Sequence, residues 1–421
     1  MTSLRWEGHR LRDVLATTGT PALVASEARL RENMRELLAG FRSRWPDTTL
    51  RYCAKTNPEL AILRLVREEG LHVLTSHAAE ARLAIAAGFA PEQIAYQRPI
   101  LEERDFIDVL ALGVRRVHAF RASDLEVLSR LAVARGCELR VSLRIALARS
   151  GMLVLSSASR RLGMDAREDI GKPRQGIVVD ALNTYIGTQQ ERPEAFRPAV
   201  RELLRLARVL RRNSHPIEEI NLGGGVPSTS LRRVTVSRIL SGRGVGAIEA
   251  TSPRAYAEAL ASIVADEASR AALDFSPRLV LEPGRSIVGN GFILLTSIAA
   301  QQGRWWFLDC GRNVLVESPL GFTRWIAPVE QATGALARIH LSGPTLNTLD
   351  VIDTHRLLAP AAAGDVLAIG DAGAYTIART TRYAGLSPAI WLQQLDGRLT
   401  RIRRAETFDD FTAPMIGDSS A

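Results

Sequence analysis

Lys55 is one of only two lysines in a chain whose 54 basic residues are otherwise arginine. Arginine stays charged and is a poor nucleophile, whereas a lysine amine can shed its proton and form a Schiff base with a carbonyl. Lys55 closes Leu50-Arg51-Tyr52-Cys53-Ala54-Lys55, a strand-like run that ends in the turn Thr56-Asn57-Pro58. The other lysine, Lys172, stands in the polar loop Asp169-Ile170-Gly171-Lys172-Pro173 and reads as a surface residue. Two further segments carry chemistry. Three glycines, Gly223-Gly224-Gly225, let backbone N–H groups approach an anion closely, and Glu282-Pro283-Gly284-Arg285-Ser286 adds a carboxylate and a forked cation. A strand-end amine and a glycine–arginine cradle suit a phosphorylated aldehyde held at two ends, and pyridoxal 5'-phosphate fits. Glu282 then faces the pyridine nitrogen, keeps it protonated and strengthens the ring as an electron sink.

These residues must be brought to one rim, and the surrounding text supplies it. Eight β-like runs follow one another: Leu50–Lys55, Val73–Ser76, Ile94–Gln97, Arg116–Phe120, Leu139–Ile145, Ile177–Ile186, Ile217–Leu222 and Arg278–Glu282. Helical text separates them at Glu59–Glu69, Ala78–Ala87, Glu103–Leu112, Ala122–Arg135 and Glu194–Arg212. That pattern predicts an α/β fold, a (β/α)8 TIM-type barrel, whose active residues gather at the carboxyl ends of the strands. Lys55 ends the first strand, the glycine triplet follows the seventh and Glu282 closes the eighth. Ser228–Ser276 reads as an elaborated connection before the last strand.

After about residue 290 regular helices disappear and β runs are punctuated by turns such as Ser342-Gly343-Pro344. The expected division is a cofactor-binding barrel over 26–288, with 1–25 and 289–421 forming a β-rich barrel or sandwich domain. The opening strand Thr20–Ala25 is expected to join that domain or bridge the two.

Composition narrows the function classes. With 46% apolar and 24% charged residues the chain reads as a soluble globular protein. No run approaches the roughly 20 apolar residues of a membrane span, and the amino terminus lacks the apolar core of a signal peptide. The three cysteines, Cys53, Cys137 and Cys310, show neither a disulfide framework nor metal-ligand spacing. A cytoplasmic enzyme without a metal is the expectation. The net charge of +9 comes from arginines dispersed among acids and lacking interleaved aromatics, which argues against nucleic acid. An acidic substrate or carrier protein remains compatible with it.

The chain resembles the fold-type III pyridoxal-phosphate enzymes of the ornithine/diaminopimelate/arginine decarboxylase family over nearly its whole length. Thr20-Pro21-Ala22-Leu23-Val24 is similar to that family's opening strand and Tyr52-Cys53-Ala54-Lys55-Thr56-Asn57 to its Schiff-base segment. Gly223-Gly224-Gly225 and Glu282-Pro283-Gly284-Arg285 match its phosphate and pyridine motifs. Asp371-Ala372-Gly373-Ala374-Tyr375 matches its final motif, whose tyrosine reaches the cofactor, and Arg144 stands where the family keeps an arginine near the ring. The resemblance implies α-decarboxylation of an amino acid, or of a carrier-linked derivative, by a homodimer with shared active sites.

Departures from the family pattern are as informative. The histidine expected over the ring is Tyr185, with Thr188 left to meet phosphate, and the serine of the second strand is His77. The late loop, which in the family carries a proton-donating cysteine and then an acid, reads Leu346-Asn347-Thr348-Leu349-Asp350. Leucine cannot protonate a carbanion, so Tyr185, His77, Lys55 or water must. Asn347 would hold a distal amine less well than an acid, while Asp350 remains able to meet one across the dimer. Glu317 stands where diaminopimelate-type members grip a second carboxylate, and would repel it. Neither diaminopimelate nor ornithine is expected as an efficient substrate. The lost cysteine leaves open racemisation, elimination or decarboxylation coupled to transamination, and a non-catalytic cofactor-binding relative. Barrel racemases of this cofactor class place an arginine at the pyridine nitrogen, so Glu282 argues against simple racemisation.

Overall fold

The computed structural model describes residues 3–147, 162–165, 170–233, 251–316, 318, 322–330 and 334–415. They fall into two compact units. One gathers Arg31–Pro227 and Thr251–Ser286, the other Met1–Leu30, Ser228–Ala250 and Ile287–Ala421.

The first unit is a closed barrel of eight parallel strands: Thr48–Cys53, His72–Thr75, Ile94–Gln97, Arg116–Ala119, Leu139–Ala146, Ile177–Asn183, Glu219–Asn221 and Arg278–Leu281. Each pairs with the next, and Arg278–Leu281 returns to Thr48–Cys53 to close the ring. The helices between strands bury one stripe. In Arg197–Arg212 the buried residues are Ala199, Val200, Leu203, Leu204, Leu206 and Ala207, a three-and-four spacing that turns most of the arginines outward. The helix Pro253–Ala271 starts cleanly because Ser252 accepts the Ala255 N–H and proline occupies the first turn. The connection expected at Ser228–Ser276 divides: Ser228–Ala250 counts with the second unit, and Pro253–Ala271 brings the chain back to the barrel.

The barrel interior departs from a purely aliphatic filling. Cys53, Leu74 and Ala95 form an apolar cluster. Around it the inward positions carry charge: Arg51 makes a forked pair with Glu219 at 2.6 and 2.7 Å, and Arg116 and Arg140 both reach Asp180, each within 2.9 Å. Glu219 is held down at about 2; burial alone would raise it, but the Arg51 and Arg116 charges prevail.

The second unit is β-rich. Its long strand Phe292–Gln302 pairs antiparallel with Ala22–Ser26, Trp305–Leu308 and Val366–Ile369. Ala389–Gln393 runs parallel to Ala22–Ser26, and Ala337–Ser342 bridges Trp305–Leu308 and Val351–Leu358. The opening strand is thus part of this sheet, as one of the two sequence alternatives required. Trp6, Leu11, Val14, Val24, Ile293, Leu295, Val329 and Ala368 form its core. Among the described residues no helix is long and apolar enough to cross a membrane.

Candidate active site

Strand parity sets up the rim. Cys53, the last residue of the first barrel strand, points inward, and the chain then tightens into the 3-10 turn Ala54–Thr56. Ala54 and Thr56 are buried while Lys55 between them is exposed. That turn projects one amine from an otherwise packed strand end. Burial pushes the neighbouring Cys53 thiol up to about 11, against the opposing Lys55 charge.

Glu282 stands just beyond the eighth strand and is 5% exposed. Its Oε1 accepts Asn221 Nδ2 at 2.7 Å and is approached by Asn183 Nδ2 at 3.5 Å. Burial raises its pKa, while the Arg144 guanidinium and the Asn221 bond pull it down. Asn221 also accepts the Gly223 N–H at 2.8 Å through Oδ1, so one side chain ties the carboxylate to the glycine loop.

The glycine loop is made of close approaches. A Cβ on Gly223 would collide with the Thr184 carbonyl, and one on Gly225 with the Gly187 carbonyl. Gly223 and Gly225 have φ of +67° and +104°, which side chains resist. A Cβ on Gly284 would meet the Thr56 hydroxyl, so the Glu282–Arg285 loop packs directly on the Lys55 turn. Ser286 Oγ beside Arg285 is buried without a hydrogen-bond partner. Lysine, carboxylate and glycine cradle therefore lie on adjoining barrel loops, and the donor set fits pyridoxal phosphate.

Tyr185 follows the sixth strand, is 41% exposed and stacks on Arg144, whose Cζ lies 5.6 Å from its ring centre. Arg144 is buried, donates to Asn183 Oδ1 at 2.5 Å, and thereby supports both Tyr185 and the second amide that approaches Glu282. Thr188 is exposed in the next loop, where its carbonyl accepts Gln190 Nε2. His77 is engaged locally: its Nδ1 accepts the Glu80 N–H and caps the helix Ala78–Ala86, with Nε2 3.5 Å from Glu80 Oε1. Glu80, 7% exposed and raised by burial against the Lys55 and His77 charges, is a carboxylate near the lysine that the sequence reading passed over. Asn221 and Asn183 were also missed, although each lies two residues before a site residue on an inward-facing parity.

In the second unit, the late loop is bonded to itself and to its neighbour. Asp350 is 3% exposed and its carboxylate accepts the Arg312 N–H, the Thr345 N–H and the Thr345 hydroxyl at 2.7, 3.0 and 2.6 Å. With three donors it fixes its own loop and offers little to a substrate amine. Asn347 is likewise occupied, its Oδ1 accepting the Leu349 N–H. Tyr375 is partly buried with φ of +63°. Glu317 lies outside the described residues.

A family model described as the pyridoxal-binding domain of pyridoxal-dependent decarboxylases matches residues 30–289. The diaminopimelate decarboxylase of Methanothermobacter thermautotrophicus is 28% identical, with 93% of this chain and 90% of that protein covered. Two solved structures share the fold. Diaminopimelate decarboxylase of Methanocaldococcus jannaschii in complex with L-lysine superposes with a TM-score of 0.86 at 21% identity, covering 99% of this chain and 96% of that one. The lysine decarboxylase of Selenomonas ruminantium with PLP and cadaverine gives 0.73 at 21%, covering 94% and 96%.

Proposed function

The chain belongs to the pyridoxal-dependent decarboxylase family, and from that membership we propose which of its residues do the work. It is a pyridoxal-phosphate-dependent amino-acid decarboxylase, a carbon–carbon lyase. When bound, the cofactor supplies a conjugated ring that accepts the electron pair released as the Cα–carboxylate bond breaks.

The chain's own residues divide the remaining tasks. Lys55 offers the amine to which the cofactor aldehyde attaches. Glu282 holds a proton at the pyridine nitrogen, with Oε1 fixed by Asn221 at 2.7 Å. Gly223, Gly224, Gly225, Gly284 and Arg285 would hold the phosphate, with Thr188 contributing from the neighbouring loop, and Tyr185, stacked on Arg144, would meet the ring. The match of residues 371–375 to the family's final motif adds Tyr375 to the proposed cofactor set. The observation that carries this reading is the Glu282–Asn221–Gly223 linkage, which couples the pyridine acid to the phosphate loop. Borohydride reduction of cofactor-loaded protein followed by peptide mass spectrometry tests it. A pyridoxyl group on Lys55 supports the assignment, and one on Lys172 overturns it.

The relatives' names point to diaminopimelate, yet Asn347 is taken up in its own turn, and by sequence resemblance alone an acid, Glu317, replaces the arginine that grips a second carboxylate. The substrate we propose is an amino acid lacking that distal carboxylate. Proton return to Cα falls to Tyr185, His77, Lys55 or water, since Leu346 cannot supply it. A homodimer is part of the same reading, and the apolar late-loop residues Leu346 and Leu349, exposed at 102% and 71%, favour a covering surface. Sedimentation of the cofactor-loaded protein tests that point, and a monomer would overturn it.

A further inference from the structure

His118 lies on the fourth barrel strand, Arg116–Ala119, with its side chain fully buried in the barrel interior. Neither ring nitrogen has a hydrogen-bond partner. The strand register sets Ser142 beside it, and that hydroxyl is also buried and unpartnered. Buried polar atoms left unmatched are costly, and an apolar residue of similar size would remove the cost. The geometry suggests what the histidine does instead: its Nε2 is 3.6 Å from Glu282 Oε1, the same oxygen that Asn221 holds. That separation exceeds a formed hydrogen bond by about half an ångström.

We propose that His118 is a positioning residue for the pyridine acid, its Nε2–H serving as a further donor to Glu282 Oε1 beside the Asn221 and Asn183 amides and so driving the shared proton toward the cofactor's ring nitrogen. The inference rests on the assignment of Glu282 above. Burial, reinforced by the positive charges of Arg51, Arg144 and Arg116 and opposed by the Glu219 carboxylate, lowers the imidazole pKa to about 3. The ring is therefore neutral near pH 7. A neutral imidazole can give one N–H to the carboxylate without neutralising it, as a fully protonated ring beside Glu282 would tend to do. With these donors gathered on Oε1, the second oxygen would be left for the pyridine.

The test uses protein loaded with pyridoxal phosphate labelled with ¹⁵N at the ring. Wild type should give the resonance of a protonated pyridine. His118→Leu and His118→Asn, which both lose the Nε2 reach, should move it toward the neutral position and lower kcat about tenfold with KM little changed, the scale of one lost hydrogen bond. His118→Gln places its amide nitrogen where Nε2 was and should restore both. Folding stability of His118→Leu should be unchanged or higher, since an unmatched buried group is gone. If the Leu and Asn variants keep the wild-type resonance, the inference is overturned; should the Leu variant not fold, the Asn variant decides alone. A neutral resonance in wild type itself would instead sink the assignment of Glu282.

Discussion

Asn221 and Glu282 form the central joint of the site: Nδ2 donates to Oε1 at 2.7 Å inside the barrel, two residues before the first glycine of the loop. Because the carboxylate is buried and fixed, its charge acts on whatever ring sits against it with little screening. Glu282→Gln keeps the shape and removes the charge. Cofactor attachment should survive, read from the visible absorbance, while kcat falls about a hundredfold, the scale of losing one directed electrostatic contact. Undiminished kcat would remove Glu282 from the account.

Gly223→Ala tests the cradle. Its φ of +67° and the Thr184 carbonyl against which a Cβ would press make the substitution cost about 1–3 kcal/mol. Cofactor affinity should weaken at least tenfold in a fluorescence titration, with a lowered melting temperature. Wild-type affinity would mean that the loop does not meet the phosphate.

Asp350→Ala separates two roles. As a loop anchor with three donors, Asp350 should cost about 1–3 kcal/mol in urea unfolding when removed. A variant with unchanged stability and a raised KM would return Asp350 to substrate binding.

The charged barrel floor predicts acid sensitivity. Glu219 sits at about 2 rather than its ordinary 4.5, so the stabilisation it contributes is complete above about 4.5 and is lost as pH falls toward 2. Arg51→Met leaves that carboxylate short of its forked partner and should destabilise the protein by about 3–5 kcal/mol at neutral pH. Equal stability of variant and wild type across that range would contradict the pairing.

The sequence made the rim legible because barrel chemistry follows strand order. Lys55, the glycine triplet and Glu282 are each announced by a strand end, and periodicity alone locates those ends to within a few residues. The supporting layer was less legible. Asn221, Asn183 and His118 sit inside short strands where parity, not residue type, decides which side chains face in, and a polar residue there reads as easily as a surface position. Glu80 hides in a helix whose alanines suggest ordinary packing. The bonding of Asp350 was hidden for a related reason: a carboxylate in a polar loop reads as available, and only the fold reveals the Arg312 and Thr345 donors that it accepts.

The central claim is decarboxylation at Cα, and it is tested most directly by mass spectrometry of an amino-acid panel incubated with cofactor-loaded protein in D₂O. The panel should include diaminopimelate and ornithine. The account predicts loss of CO₂ from at least one amino acid with one deuterium gained at Cα, and slow turnover of those two compounds. Deuterium gained with the carboxylate retained across the panel would contradict it and assign the site to another Cα–H reaction.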